Sequence, residues 1–213
     1  AAFFGRGSPL TQLPIPESSP FYNADFKDGW RYDPALSRRL LAEAGHPNGV
    51  SCSLLSTAQY GMHKDTAEVA QQHLAAVGIR AELNLPDWAT RVTVGNRGQY
   101  DIAVMGTAAD SNDPDGIANF LDGSLAPSYV RSHGLRVDRI TELLAQGRAE
   151  FDEGRRRAIY REMERVAIEQ APIVGLTWRS QGYAMRRRVS GFRNMPGALT
   201  FYSGLTFETV EVG

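Results

Sequence analysis

Apolar positions in residues 33–106 change repeatedly between the spacing of a helix and the spacing of a strand. A helix is predicted to begin at Asp33-Pro34, because aspartate is a good N-cap and proline is favoured in the first turn, and Gly45 is predicted to end it. The segments that follow are predicted as a strand at 51–57, a helix at 63–77, a strand at 79–85, a short helix from residue 86 and a strand at 100–106. Strands that alternate with helices pair in parallel through right-handed crossovers. The pattern therefore predicts an α/β fold with a mixed, largely parallel sheet flanked by helices.

Two longer helical patterns follow in residues 137–170, and Asp152 is predicted to cap the second. The segment Arg161–Arg165 lies on an outer face rich in Arg and Glu, which is predicted to be solvated. Pro172–Trp178 is predicted as a strand, the tail at 199–212 is predicted to add one or two more, and the proline-rich residues 1–30 are predicted to be irregular. The helix positions predicted to be buried are Leu36, Leu40, Leu41 and Ala44, then Ala67, Ala70, Leu74 and Val77, then Val137, Ile140, Leu143 and Leu144, and finally Ile159, Met163, Val166 and Ala167.

The composition narrows the classes of function. The 213 residues are 42% apolar and 22% charged, which is typical of a globular protein, and the net charge of -1 gives no general attraction to nucleic acid. The basic run Arg186–Arg188 lacks the interleaved aromatic residues of a nucleic-acid site. No apolar run approaches the roughly 20 residues that span a bilayer. Cys52, the one cysteine, lies in a predicted strand and is interpreted as a small buried hydrophobe rather than a nucleophile.

A loop dense in carboxylates and amides follows the predicted strand at 100–106. Ligands of open α/β sheets sit beyond the carboxyl ends of strands, so this loop is a candidate site. A calcium loop counted from Asp110 would need an oxygen ligand at its fifth position and a glutamate at its twelfth, but these positions hold Pro114 and Leu121. The histidines lack metal-ligand spacing. The sequence therefore predicts neither a metal nor a cofactor.

Asp110 is favoured as a functional residue, because a carboxylate at the end of a buried strand can hold a cation such as a ligand ammonium group. Asn112, Asp113 and Asp115 are explained equally well as side chains that cap turns and a following helix. A hydrolase that uses Asp110 with His133 is an alternative, but no nucleophile with a partnered base stands at a recognisable spacing. An inactive sensor or scaffold domain on the same fold is a third hypothesis.

The segment Tyr32–Gly45 reads Y-D-P-A-L-S-R-R-L-L-A-E-A-G and resembles the pattern Y-D-P-x-x-A-x-x-L-L-x-E-A-G of one protein family. Further segments that resemble its patterns are Ala75–Ile79 (L-x-x-x-G-I), Gly98–Asp101 (G-x-Y-D), Asp152–Tyr160 (D-x-x-x-R-x-x-x-Y), Ala171–Val174 (A-P-x-x-P-L) and Val189–Phe192 (V-x-G-F). The family is that of the extracellular solute-binding proteins of family 5, the receptors of ABC importers for dipeptides, oligopeptides, nickel and related solutes. The order and spacing of these segments identify the chain as a member of this family.

The resemblance implies a binding protein rather than an enzyme, with the ligand trapped between two lobes that close by a hinge motion. In peptide-binding members, an aspartate in a loop G-W-x-A-D-x-N-E/D-P pairs with the ligand's α-ammonium group. That loop corresponds to 106–114 here, so Asp110 is the implied ammonium partner. Thr107 replaces the family's tryptophan, which removes an aromatic wall and leaves the ligand class open. The ligand-binding residues implied by the resemblance are Asp110, Thr107, Ala108, Asn112 and Trp88.

The resemblance also implies an organisation. We expect residues 1–30 to be a lead-in, 31–170 to form the second, ligand-binding lobe of a type II periplasmic-binding-protein fold, and 171–213 to return toward the first lobe. We expect the chain to be roughly the C-terminal half of a periplasmic or extracytoplasmic protein whose signal peptide lies outside this segment. The expected partners are a peptide or peptide-like amine-bearing solute and the membrane permease of an ABC importer. A nickel chelate, an opine or an oligosaccharide remains an alternative solute.

Overall fold

The computed structural model of the chain describes residues 3, 5–106, 113–179, 183–193 and 207–213. In chain order, its elements are β1 (Gly7–Pro9), a 3-10 helix (Ala24–Phe26), α1 (Pro34–Glu43), β2 (Val50–Leu55), α2 (Gly61–Ala75), β3 (Ile79–Asn84), α3 (Trp88–Asn96), β4 (Ile102–Ala103), a 3-10 helix (Pro114–Ile117), α4 (Ala118–Leu121), α5 (Asp138–Ala149), α6 (Glu153–Gln170), β5 (Thr177–Arg179), β6 (Val189–Ser190) and β7 (Glu211–Val212). No helix among these residues is long and apolar enough to cross a membrane.

A three-stranded parallel sheet organises residues 50–103. β2 lies in the centre, between β3 and β4, and Leu54 at its carboxyl end is opposite Leu83 on one side and Ile102 on the other. The strands are joined by α2 and α3, so the predicted alternation of strands and helices with parallel pairing is confirmed. Cys52 is half-buried and packs against the core beneath this sheet.

β4 is shorter than the strand predicted at 100–106. Only Ile102 and Ala103 pair in register with β2, and the N–H of Val104 makes one more hydrogen bond to β2, at 2.9 Å to the carbonyl of Leu55. The carbonyl of Val104 accepts a hydrogen bond from Arg91, and the N–H of Gly106 donates to the hydroxyl of Tyr129. Hydrogen bonds from side chains that are distant in sequence therefore fix the path of the backbone beyond β4.

The predicted helix starts are confirmed. Asp33, Asp87 and Asp152 are N-caps, and each accepts a hydrogen bond from the backbone N–H three residues further on. Gly45 and Gly78, which follow α1 and α2, have φ angles of 86° and 97°, a conformation that favours glycine.

The predicted buried face of α1 is wrong. No residue of α1 is buried, and Leu40 is 52% exposed. Arg38 Nη1 donates to the carbonyl of Ala76 just beyond α2, and neither hydrophobic core includes a residue of α1. The face predicted for α2 is confirmed at Ala67, which is fully buried, and at Ala70 and Leu74, which pack against it, whereas Val77 lies beyond the end of the helix.

A second core lies between α5, α6 and the lead-in. Ile140, Leu143 and Leu144 of α5 pack against Met163 of α6, as their spacing predicted. The lead-in is largely irregular, as expected, but it contributes the buried Leu13 and Ile15 to this core. The other members of the core include Ile117, Phe120, Leu121, Tyr160, Val166 and Ala167.

One position of the predicted solvated face of α6 behaves differently. Arg161 and Arg165 are exposed, but Glu164 between them is fully buried. Its Oε1 accepts a hydrogen bond of 3.3 Å from Nε2 of Gln12, which belongs to the lead-in that crosses the helix. The prediction is wrong at Glu164 because the covering segment comes from 152 residues away in sequence.

The strand predicted at 172–178 is restricted to β5. Ala171 has a left-handed φ of 44° at the end of α6, and the chain becomes extended only at Thr177, where it pairs antiparallel with β1. In the tail, β7 pairs antiparallel with β6, which confirms one predicted strand. Residues 199–206 of that prediction lie outside the described residues.

Candidate functional site

A cleft of about 910 Å³ lies at the carboxyl end of β4. One wall comes from the parallel sheet and its helices, and includes His63, Arg91 and the segment 102–106. Residues 171–179 and the lead-in around Leu10 also line the cleft. The lining is mostly apolar with a few polar groups, which is the composition expected of a ligand pocket.

Aromatic rings cluster around Trp88 at this end of the sheet. The ring of Trp88 lies 4.8 Å from Tyr129, 5.2 Å from Tyr60 and 6.0 Å from His63, measured between ring centroids. Trp88 is the first residue of α3 and follows β3 directly, so the fold fixes it beside the end of β4. We call Tyr60, His63, Trp88 and Tyr129 the aromatic cluster.

Arg91 lies beneath this cluster and is fully buried. It follows Trp88 by three residues, which places both side chains on the same face of α3. Its guanidinium carbon lies 4.7 Å from the ring centroid of Tyr129, and Nη2 donates a 3.0 Å hydrogen bond to the carbonyl of Val104. Its Nε and Nη1 are buried and have no hydrogen-bond partner.

The electrostatics of the cluster disfavour a further positive charge. Burial lowers the pKa of His63, and the charges of Arg91 and Arg179 lower it further, so His63 is neutral at pH 7. Burial raises the pKa of Tyr129, against the opposing effects of the hydrogen bond from Gly106 and the two arginines. Both groups therefore present neutral polar surfaces next to fixed cations.

Both ends of the candidate loop are anchored. At one end, the N–H of Gly106 lies 3.0 Å from the Tyr129 hydroxyl. At the other end, Asp113 caps the 3-10 helix through the N–H of Asp115 and forms a two-bond ion pair with Arg156, at 2.8 and 2.9 Å. Asp113 therefore shapes the turn, which is one of the two roles that the sequence left open.

Of the site residues predicted from the sequence, Trp88 lies at the cleft end of the sheet, within the aromatic cluster. Thr107, Ala108, Asp110 and Asn112 lie outside the described residues, and their roles stay predictions. Within the described part of the chain, no group of three or more His, Cys, Asp or Glu side chains could hold a metal ion. His133, considered above for a hydrolase, has its Nε2 3.0 Å from the carbonyl of Phe120.

The sequence reasoning missed Tyr60, Arg91 and Tyr129. Arg91 could have been found, because its spacing from Trp88 places it on the same helix face. Tyr60 and Tyr129 carry no local pattern, and only the three-dimensional fold brings them to Trp88.

Comparisons with known proteins identify relatives over the whole chain. Residues 1–127 match the model of the family described as bacterial extracellular solute-binding proteins, family 5 Middle. Di/tripeptide-binding protein 2 of Pseudomonas aeruginosa is 32% identical over 190 residues, which cover 86% of this chain and 35% of that protein. The glutathione-binding protein GsiB of Escherichia coli is 27% identical over 218 residues, which cover 99% of this chain and 41% of that protein.

Solved structures show the same fold. The periplasmic binding protein AgaA of A. tumefaciens, in complex with agropinic acid, is 38% identical with a TM-score of 0.89, and the match covers 100% of this chain and 43% of AgaA. The periplasmic binding protein DppA of Helicobacter pylori, in complex with the peptide STSA, is 23% identical with a TM-score of 0.78, and the match covers 98% of this chain and 40% of DppA. The predicted class, a mixed α/β part of a type II periplasmic-binding-protein fold, is confirmed, and the chain spans less than half the length of each of these relatives.

Proposed function

The chain belongs to family 5 of the bacterial extracellular solute-binding proteins, and we propose that it is the ligand-binding part of the substrate-binding component of an ABC importer. In this proposal, the complete protein is two-lobed, lies in the periplasm or another extracytoplasmic space, and delivers its solute to a membrane permease. The solute is a peptide or a peptide-like molecule that bears an amine.

The observation that carries the proposal is the cleft at the carboxyl end of β4. His63 and Tyr129 of the aromatic cluster line this cleft and provide π surfaces for a side chain of the solute, and the strand then continues into the loop that contains Asp110. Asp110 is proposed to hold the ammonium group by charge-assisted hydrogen bonds, with Thr107, Ala108 and Asn112 forming the rest of the loop.

Binding rather than chemistry is supported by the contacts in the cleft. Among the described residues, no hydroxyl or thiol of Ser, Thr or Cys hydrogen-bonds to a histidine ring, as an activated nucleophile would. The neutral His63 and Tyr129 suit contacts to a solute. The solute would stabilise a closed arrangement of the two lobes through contacts that the open arrangement lacks.

The proposal is tested on the complete protein. Native mass spectrometry of the protein as purified should reveal a co-purified solute, and calorimetry with dipeptides, tripeptides and glutathione should give a dissociation constant for the best of them. Asp110→Ala should weaken the binding of that amine-bearing solute by about 2–5 kcal/mol, because it leaves a buried ammonium group without its partner. Asp28→Ala, which removes an exposed carboxylate from the lead-in, is the matched control. An unchanged affinity in Asp110→Ala would contradict the role of Asp110.

Opine binding is a second candidate, because this chain is more similar to AgaA than to the dipeptide-binding structures, at 38% against 22–23% identity. Thr107 in place of the tryptophan of peptide-binding members also fits a different solute. Agropinic acid therefore belongs in the same calorimetric series. Tighter binding of agropinic acid than of any peptide would favour the opine.

A further inference from the structure

A buried polar contact holds the lead-in on α6. Gln12 of the lead-in is 3% exposed, and Glu164 of α6 is fully buried. Nε2 of Gln12 donates a hydrogen bond of 3.3 Å to Oε1 of Glu164 and one of 3.4 Å to the carbonyl of Asn23. Because both partners are acceptors, the nitrogen and not the oxygen of the Gln12 amide must lie on this side.

Each of these two side chains keeps one buried oxygen without a hydrogen-bond partner. The two atoms are Oε1 of Gln12 and Oε2 of Glu164. The buried donors Nδ2 of Asn23 and Nε1 of Trp30 also have no partner, so neither satisfies these oxygens. An amide oxygen and an ionised carboxylate oxygen are both acceptors and cannot bond to each other, and leaving both unpaired in the interior is costly. A single proton on Oε2 removes this conflict, because a protonated carboxyl group is also a donor.

The ionisable groups around Glu164 do not compensate a negative charge there. On α6, Tyr160 bonds to Asp115, and Arg161 and Arg165 pair with exposed carboxylates. The residues of α5 in this core are apolar. The ionisable residues of the covering segment 21–30 are Tyr22, Asp25, Lys27 and Asp28. The last three are exposed, and burial alone raises the pKa of Glu164, to about 8.

Gln12 also connects this contact to the cleft. Leu10 and Pro14, two residues before and two residues after Gln12, both line the cleft. The N–H of Leu10 donates a 3.2 Å hydrogen bond to the carbonyl of Leu176, which lines the cleft as well. The way in which Gln12 is held on α6 therefore determines where this part of the cleft wall lies.

We propose that Glu164 is protonated in the folded protein and donates from Oε2 to Oε1 of Gln12, and that this closed acid–amide pair positions the lead-in wall of the cleft. Two hydrogen bonds then join the groups, one in each direction, and both buried oxygens are satisfied. Gln12 and Glu164 are positioning residues, because neither lines the cleft. The pair is closed below about pH 8 and opens above it, because an ionised Oε2 repels the amide oxygen.

The existence of the pair does not depend on the proposed function, whereas its effect on a solute rests on it. The test therefore reads the proton, the acceptor and the cleft separately, in each case on the complete protein. The central variant is Glu164→Gln, whose side-chain N–H takes the place of the acid O–H and keeps the pair closed at every pH.

The first arm reads the proton by infrared spectroscopy. The spectrum of the wild type minus that of Glu164→Gln should contain the C=O stretch of a protonated carboxyl group at about pH 6, and this band should disappear with a midpoint at about pH 8. Glu169→Gln, an exposed position of the same helix, is the matched control, and its difference spectrum should contain no such band. Absence of the band for Glu164 would overturn the inference.

The second arm reads the acceptor oxygen. With a heavy carbon isotope in the side-chain amide of glutamine, the spectrum of the wild type minus that of Gln12→Met isolates the C=O stretch of Gln12. This stretch should move to higher frequency as the pH rises through about 8, because Oε1 loses its hydrogen bond, and it should stay in place in Glu164→Gln. A stretch that does not respond to pH in the wild type would overturn the pairing. Should Gln12→Met fail to fold, Gln12→Asn gives the same subtraction.

The third arm connects the pair to the cleft. Calorimetry measures the binding of methionyl-leucine and of agropinic acid to the wild type and to Glu164→Gln. The amine of the solute titrates in the same range, so the dissociation constant of the wild type is divided by that of the variant at each pH. This ratio should be about 1 at about pH 6, where both pairs are closed, and about 5 or more at about pH 9. With Glu169→Gln in place of Glu164→Gln it should stay at about 1.

The outcomes separate the two proposals. Binding of none of the probes would overturn the proposed function, and the infrared bands would still decide whether the pair exists. Binding with a ratio that is the same at both pH values would overturn the step from the pair to the cleft and leave the proposed function intact. A merely structural contact would give that constant ratio, because Glu164→Gln keeps the same packing.

Discussion

Arginine is used in opposite ways in the two halves of this molecule. In the helical region, Arg148 and Arg156 extend from α5 and α6 to Asp115, Asp122 and Asp113, which lie around the 3-10 helix and α4. In the sheet region, Arg91 is buried at the cleft, and two of its three guanidinium nitrogens, Nε and Nη1, have no hydrogen-bond partner. Paired arginines link the helices to the turns of the helical region, whereas Arg91 has no ion-pair partner among the described residues.

The helical region also contains a buried acid without a cation, and the contrast with Arg91 is instructive. Glu164 has Oε1 bound to Gln12 and Oε2 without a partner, and burial raises its pKa to about 8. A carboxyl group in this position relieves the cost of burial by keeping its proton. Arginine has no such option, so Arg91 stays charged and is stabilised by the carbonyl of Val104 and the ring of Tyr129.

The largest expected effect concerns the pH dependence of Glu164. Its folded-state pKa, about 8, is above the ordinary value of 4.5, so the folded protein keeps a proton that the unfolded chain loses. The free energy of unfolding should therefore fall on the order of 4 kcal/mol as the pH rises from about 4.5 to above 8. Chemical unfolding of the complete protein at several pH values measures this, and Glu164→Gln should remove that part of the fall.

The matched control for Glu164 is Glu169→Gln, an exposed position of the same helix, which should keep the wild-type pH profile. A Glu164→Gln profile that parallels the wild type would mean that the carboxyl is ionised in the folded state. Glu164 would then be a buried charge like Arg91, and not a buried acid that is neutralised by its proton.

The second prediction tests whether the paired arginines are structural. Arg156→Met removes the ion pair with Asp113 and the 2.8 Å hydrogen bond to the carbonyl of Gly147, together with the guanidinium that lies against the rings of Phe21 and Tyr160. The free energy of unfolding should fall by about 2–3 kcal/mol. Arg157→Met removes an exposed pair with Glu153 one turn away and should cost less than about 1 kcal/mol. Urea unfolding with equal losses in the two variants would contradict the structural role of Arg156.

The sequence predicts those parts of the fold that local contacts determine. Asp33, Asp87 and Asp152 accept hydrogen bonds from backbone N–H groups three residues away. The starts of three helices could therefore be predicted from a few neighbouring residues. The alternation of apolar residues predicted β3 as a strand, and the order of strands and helices predicted the parallel sheet, because strands separated by helices pair in parallel.

The features that were missed depend on contacts between distant residues. Glu164 is a charged residue between exposed arginines, which is typical of a surface position. It is buried because the lead-in that carries Gln12 covers it. The end of β4 is set by Arg91 and Tyr129, 13 and 23 residues from the backbone groups that they bind. Trp88 was predicted at the site from a family resemblance, but no local pattern indicated the rings that surround it.

The smallest expected change in the free energy of unfolding is that of Arg91→Met. It tests most directly whether Arg91 differs from the ion-paired Arg156. Arg91→Met loses the hydrogen bond to Val104, but it also removes a buried charge whose Nε and Nη1 are unsatisfied. These effects oppose each other, so the free energy of unfolding should stay within about 1 kcal/mol of the wild type, in contrast to Arg156→Met. Thermal and urea unfolding of the two variants side by side measure the difference. A loss from Arg91→Met as large as that from Arg156→Met would show that both arginines fasten the fold.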